Sequence, residues 1–171
     1  MKTFWHLVKR FFGSLKQKTV SEEDLLWVEN ILSQEEMHLW QTMPENDKCH
    51  SIEVARRTGT LLGKLEPEVL AAALLHDVGK AKNQAGLWVR VLATLLGLAL
   101  PARKKERWAE KSGITGKIGQ YLQHPAQGAD LLRAAGSVPL VIAWAEEHHL
   151  PERAWTINPE IGNILKAADN D

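Results

Sequence analysis

Residues 69–80 read VLAAALLHDVGK, an apolar helix-forming run that is interrupted by a histidine and an aspartate. The pattern predicts a helix over residues 67–79, with a proline at its start and a glycine at its end. A buried carboxylate without a partner is costly, and the negative end of a helix disfavours Asp77 further. We therefore expect a cation beside Asp77. Lys80 is one candidate, and a metal ion that also uses His76 is the other.

Helical signals continue along the rest of the chain. Ser33 followed by Glu36 three residues later is a capping box, which marks the start of a helix. Because we find neither a strand-type alternation nor a hairpin dipeptide, we expect an all-α fold, a helical bundle. The predicted helices are two short ones after Ser21 and Ser33, then 44–62, 67–79, 86–99, 102–111, 125–135, 138–149 and 159–169.

Composition limits the classes of protein to consider. The 171 residues carry 21 Lys and Arg against 21 Asp and Glu, and Cys49 is the single cysteine. One cysteine excludes an internal disulfide and a zinc finger, so a cytoplasmic location is expected. A neutral total charge argues against duplex nucleic acid as a partner. The apolar run 87–100 falls short of the roughly 20 residues that a membrane-spanning helix needs.

The first 20 residues differ from the domain that we predict over residues 21–171. They are basic, and their aromatic and aliphatic residues follow helical spacing, which predicts an amphipathic helix over residues 1–20. Two interpretations remain open. The apolar face packs on the domain or on a second subunit of a homo-oligomer, or the helix lies on a membrane surface as a peripheral contact.

Two histidines are placed symmetrically about a glycine. His50 lies thirteen residues before Gly63, and His76 lies thirteen residues after it. If the two helices around Gly63 form an antiparallel hairpin, residues equidistant from the turn lie at the same level. We therefore expect the two histidines to face each other.

A second pair repeats this arrangement about Gly136. His124 lies twelve residues before this glycine, and His148 lies twelve residues after it. Asp169 follows an apolar run near the end of the last predicted helix. Two symmetric histidine pairs and an aspartate within apolar sequence would rarely arise by chance among unrelated core residues. The predicted metal ligands are His50, His76, Asp77, His124, His148 and Asp169.

The order of these residues resembles the HD-domain superfamily of metal-dependent phosphohydrolases, which is named after an adjacent His-Asp pair. The resemblance rests on a histidine, the pair in LLHDVGK and a late aspartate, and it covers about residues 44–170. The segments HPAQGADLL and EEHH are further similar to members with two metals. The resemblance implies a helical bundle that hydrolyses phosphate esters or anhydrides of nucleotides.

The resemblance to two-metal members also implies a division of the ligands. His50, His76, Asp77 and Asp169 would hold one ion, and His124 and His148 a second. Asp77 would bridge the two ions and act as the catalytic residue. His149 is either the alternative ligand to His148 or a donor to the substrate phosphate. Lys80 either binds a phosphate oxygen or caps its helix.

Imidazole and carboxylate ligands together suit one or two ions of Mn²⁺, Fe²⁺, Co²⁺, Ni²⁺ or Zn²⁺. The expected activity is hydrolysis of a nucleotide or another small phosphate ester, a phosphomonoester or a phosphodiester, by a metal-activated hydroxide. Two alternatives remain. One is a low-turnover nucleotide-binding sensory module, and the other is a di-iron oxygenase of the same superfamily.

The sequence departs from one known subfamily and carries an insertion. The Leu-Pro-Glu-Arg segment after His149 differs from the Gly-Tyr-Pro segment of the cyclic-di-GMP phosphodiesterases, so that substrate is not assigned. The insertion, at about residues 82–120, contains the apolar run and the basic segment ARKKER. It either covers the site as a lid or packs as an ordinary helix.

Overall fold

A computed structural model of the protein describes residues 19–82, 107–108 and 113–170. The amphipathic helix predicted for residues 1–20 lies outside the described residues except for its last two positions. Most of the 82–120 insertion lies outside them too, including the helix predicted for residues 86–99 and most of that for 102–111.

The described part of the chain is helical and contains no strand, which confirms the all-α prediction. None of its helices combines the length and the apolar character needed to cross a membrane. Two short 3₁₀ segments, Val78–Lys82 and Glu152–Ala154, join longer helices. The α-helices are α1 (Glu22–Glu29), α2 (Gln34–Gln41), α3 (Glu45–Leu62), α4 (Pro67–Leu75), α5 (Gly113–Leu122), α6 (His124–Ala134), α7 (Pro139–Glu147) and α8 (Pro159–Asn170).

Helix α4 is the centre of the core. Residues 69–75 are all buried, and the helix packs against α2, α3, α7 and α8. Such a helix needs no polar face, which explains why its sequence is almost purely apolar. The chain reaches α4 through a turn at Gly63, where a positive φ of 69° ends α3 and favours glycine.

Helices α6 and α7 form the second hairpin. Gly136 has a φ of 74° in the turn between them, as the sequence predicts for a helix end at this glycine. Helix α6 also packs against the 3₁₀ segment that follows α4, and α8 packs along α3. These contacts bring the ends of the two hairpins together on one side of α4.

The end of α4 corrects one prediction. The helix stops at Leu75 rather than at Gly79, and a 3₁₀ segment begins at Val78. Gly79 does not have the positive φ of a helix-ending glycine, and it is buried against α6. Close packing between two backbones, rather than helix termination, therefore requires glycine at this position.

Candidate metal centre

Several helix ends meet on one side of the bundle and carry the polar side chains singled out in the sequence. His76 directly follows α4, His148 directly follows α7, and Asp169 lies in the last turn of α8. His50 lies in α3, and His124 is the first residue of α6. The negative ends of three helix dipoles therefore point towards the same place, which favours a bound cation.

His50, His76 and Asp169 form what we term the first cluster. Nε2 of His50 lies 3.0 Å from Oδ1 of Asp169, and Nε2 of His76 lies 3.7 Å from the same oxygen. The two imidazole rings are 5.8 Å apart between centroids, as predicted from their symmetry about the turn. Three potential ligand atoms thus converge from three different helix regions.

Asp77, His124, His148 and His149 form the second cluster. Nε2 of His124 lies 3.5 Å from Oδ1 of Asp77, and Nε2 of His148 lies 3.6 Å from that oxygen. Nε2 of His149 is 3.3 Å from Nε2 of His124. The two adjacent histidines therefore both lie within reach of one ion, whereas the sequence left open which of them would do so.

The carboxylate of Asp77 lies between the clusters. Its Oδ1 faces His124 and His148, while its Oδ2 lies 3.3 Å from Nε2 of His76. Nζ of Lys80 donates to Oδ2, so one of the two cations that the sequence offers for this carboxylate lies beside it. Each carboxylate oxygen is directed to a different cluster, which is the arrangement that a bridging ligand requires.

Hydrogen bonds to the helix backbone orient two of the imidazole rings. Nδ1 of His76 lies 2.8 Å from the carbonyl oxygen of Ala73, and Nδ1 of His148 lies 3.1 Å from that of Ala145. A carbonyl oxygen only accepts, so Nδ1 carries the proton in both rings. In the neutral imidazole, the lone pair is then on Nε2, the atom that faces the cluster.

Three buried atoms of the site make no hydrogen bond to any described residue: Nε2 of His76, Oδ1 of Asp77 and Nε2 of His148. Leaving such atoms unpaired is expensive, so their convergence calls for a partner. Ligand atoms that share one ion at bond lengths of about 2.0–2.2 Å lie roughly 2.9–3.6 Å apart. The separations in both clusters are close to this range, so the residues fit a divalent transition metal.

The electrostatics of the site differ from residue to residue. Burial alone would raise the pKa of Asp77, but the charges of Lys80 and His76 hold it well below its ordinary value. Burial lowers the pKa of His76, yet the carboxylates of Asp77 and Asp169 outweigh this and raise it. Burial lowers the pKa of His148 to about 4. His148 is therefore neutral and Asp77 is ionised at pH 7, the states that metal binding requires of an imidazole and a carboxylate.

Two glycines set the distance between Asp77 and α6. A Cβ atom on Gly79 would lie 1.9 Å from the carbonyl oxygen of His124 and 2.7 Å from the backbone nitrogen of Gly128. Both obstacles are backbone atoms, so no side chain can move aside to make room. This role was not predicted from the sequence, although a glycine within a helix, such as Gly128, is a known sign of close packing.

A further contact that the sequence analysis missed holds the segment after α7. The carboxylate of Glu147 is buried and accepts hydrogen bonds from the backbone N–H of Thr156 at 2.7 Å and from its hydroxyl at 2.6 Å. The indole N–H of Trp155 donates to the carbonyl oxygens of Glu147 and Leu150. The chain on both sides of His148 is thus fixed. We see no sequence signal for these contacts, because they join the last residue of α7 to a segment outside that helix.

Comparison with known proteins is informative at the level of the family. A model of the family described as "HD domain" matches residues 48–171, which is more than half of the chain. No match was found among curated proteins or among solved structures.

Proposed function

The chain belongs to the HD-domain superfamily, a group of metal-dependent hydrolases, and from this premise we propose that it is a phosphohydrolase of small phosphate esters. The observation that carries the proposal is the set of three buried atoms without a hydrogen-bond partner among the described residues, on His76, Asp77 and His148. They lie at the meeting point of two clusters of potential ligands. Burying such atoms without a hydrogen bond is costly, and a bound cation would offset this cost.

We assign the ligands to two divalent transition metal ions. The first cluster and one oxygen of Asp77 would hold one ion, and the other oxygen of Asp77 with the histidines of the second cluster would hold the other. This assignment adds His149 to the ligands expected from the sequence. The orientation of His76 and His148 through their Nδ1 atoms supports it, because rings fixed in this way present Nε2 without further rotation.

Two ions held here would activate a water molecule for attack and offset the negative charge of the phosphoryl oxygens. The water oxygen forms a bond to phosphorus, the bond from phosphorus to the leaving oxygen breaks, and a proton passes to the leaving group. Lys80 keeps Asp77 ionised and lies close enough to bind a phosphoryl oxygen as a point charge. The exposed side of His149 offers a further donor to the phosphate when this residue is not a ligand.

The test begins with untagged protein that is loaded anaerobically with Mn²⁺, Fe²⁺, Co²⁺, Ni²⁺ or Zn²⁺. Bound metal is measured by elemental analysis, and each form is then incubated with nucleoside monophosphates, cyclic nucleotides and phosphate esters that lack a base. Products are separated by chromatography. We expect up to two ions per chain and release of phosphate or of a phosphomonoester.

The matched control compares two aspartate substitutions of equal chemistry. Asp77→Asn removes the central carboxylate, whereas Asp130→Asn changes an exposed aspartate that pairs with Arg133 on α6. Loss of metal and hydrolysis in the first variant alone supports the proposal. Metal-loaded protein that binds nucleotides without turnover, or that consumes O₂ with iron bound, would instead identify a sensory module or an oxygenase.

A further inference from the structure

Two basic side chains bind backbone carbonyl groups next to the candidate metal ligands. Nε of Arg57 donates to the carbonyl oxygen of Ala168 at 2.8 Å, and Nζ of Lys166 donates to that of His148 at 2.5 Å. The last carbonyl groups of an α-helix have no N–H partner within the helix. Each cation therefore satisfies a group at the negative end of a helix and is favoured there by the dipole.

Arg57 contacts the main chain next to Asp169, a member of the first cluster. It lies on α3 seven residues after His50, so both side chains project from the same face of that helix. His50 contacts the carboxylate of Asp169, and Arg57 contacts the backbone of the residue before it. Helix α3 thus holds the end of α8 at two points, one on the side chain and one on the main chain.

Lys166 contacts the main chain of His148, a member of the second cluster. It lies on α8, three residues before Asp169, and it donates to the carbonyl group of His148, the residue directly after α7. The same residue, His148, offers its Nε2 to the second cluster. Fixing this carbonyl restricts the main chain between His148 and His149, both of which belong to that cluster.

We propose that Arg57 and Lys166 are positioning residues with separate targets: Arg57 sets the metal affinity of the first cluster, and Lys166 sets that of the second. The inference rests on the proposed function in one respect, namely that the clusters bind metal ions. Neither side chain is a ligand. Each acts through the main chain that carries one, and outer contacts of this kind typically change metal affinity by about 10–100-fold.

The experiment uses Arg57→Met and Lys166→Met in the full chain, because methionine keeps an unbranched apolar stem and removes the donor and the charge. Binding of Co²⁺ is measured by equilibrium dialysis with elemental analysis. We expect each variant to weaken one of the two sites by about 10–100-fold and to leave the other unchanged. Arg57→Lys and Lys166→Arg, which restore a charged donor, should recover part of the affinity.

Ligand variants identify which site is affected. In a His50→Ala background, which leaves the second cluster intact, Lys166→Met should weaken the remaining site and Arg57→Met should not. In a His124→Ala background the effects should be reversed. A purely structural role would change both sites together with the apo-protein melting temperature, and it would not follow this crossed pattern.

The outcomes separate this inference from the proposed function. Two intact sites in both methionine variants, or equal weakening of both sites, would overturn the assignment of Arg57 and Lys166 while leaving the hydrolase proposal in place. A wild-type chain that binds none of Mn²⁺, Fe²⁺, Co²⁺, Ni²⁺ and Zn²⁺ would overturn both. If a methionine variant does not fold, Arg57→Gln and Lys166→Gln keep a neutral donor, and the same crossed pattern at smaller size is the expected result.

Discussion

The two clusters are built in different ways from similar side chains. In the first cluster, His50 and Asp169 are separated by 119 residues, and their side chains are 23% and 12% exposed. In the second, His124 and His149 are 25 residues apart, and the side chains of His124 and His148 are only 6% and 1% exposed. The three histidines of the second cluster thus come from one local hairpin, and two of them are buried whereas His149 is exposed. The first needs the docking of α8, and it combines the buried His76 with the partly exposed His50 and Asp169.

This difference suggests a division of roles. A site whose histidines come from one local hairpin suits an ion that is retained, whereas a site that depends on the docking of α8 releases its ion when α8 moves away. Asp77 faces both clusters, because each of its two carboxylate oxygens is directed to a different one. Substitutions at Asp77, at one histidine of each cluster and at Gly79 therefore test this comparison.

The largest effect is expected from Asp77→Asn, which keeps the shape of the side chain and removes its charge. Both clusters lose a ligand at once, so both ions should be lost or bound much more weakly. Hydrolysis of the best substrate should fall by at least about 10³-fold, the upper range for removal of one electrostatic group from an active site. Elemental analysis and initial rates measure this. Retention of two tightly bound ions would show that Asp77 does not join the clusters.

A smaller effect, confined to one ion, is expected from His50→Ala and from His124→Ala. Each variant should lose one equivalent of metal and keep the other, as measured by elemental analysis after dialysis. We expect the ion that remains in His50→Ala, which is held by the second cluster and does not depend on α8, to resist a chelator longer than the ion that remains in His124→Ala. Equal rates of release would contradict the proposed difference between the sites.

Gly79→Ala should lower the free energy of unfolding and disturb the close approach of the segment after α4 to α6. The added Cβ overlaps the backbone of His124, so α6 must move, at a cost of about 3 kcal/mol. Gly128→Ala is the control, because its Cβ would approach Gly79 only to 3.2 Å and alanine favours a helix by up to about 1 kcal/mol. Urea denaturation of the metal-free proteins measures both. Similar stability of the two variants would argue against the close approach.

The mildest test leaves the sequence unchanged and varies pH. In the metal-free protein, nuclear magnetic resonance should find that His76 titrates above its ordinary pKa of 6.5 and that His148 titrates at about 4. The unfolded chain binds a proton at His148 below about pH 6.5, and the folded chain does not until about pH 4. His148 therefore contributes stability at neutral pH that is lost as the pH falls through this window. His76 contributes in the opposite sense, with stability that is present at low pH and lost above its raised pKa.

Much of the fold could be predicted because its signals are local. The capping box at Ser33, the helix end at Gly63 and the turn at Gly136 each depend on neighbouring residues, and the structure shows all three. The facing of the histidine pairs followed from counting along antiparallel helices. His76 and Asp77 could be singled out because they interrupt an apolar run, where a polar side chain is costly.

Other features could not be predicted because they depend on packing between distant segments. Gly79 resembles a helix-ending glycine in sequence, and only the approach of α6 gives it a different role. The contacts of Arg57 and Lys166 with carbonyl groups 111 and 18 residues away leave no trace in the local pattern. The place of Asp77 between the clusters was expected only from the family resemblance, because it depends on the rotation of one carboxylate, which spacing does not determine.

The packing of Trp144 has an optical consequence. This buried indole lies 6.1 Å from the ring of His148 and 5.4 Å from the ring of Trp155, between centroids. A paramagnetic ion such as Co²⁺ bound beside His148 would lie within quenching distance of both fluorophores. The emission of these tryptophans would then report occupancy of the second cluster in real time, without a dye, and Trp144→Phe would identify their share of the signal.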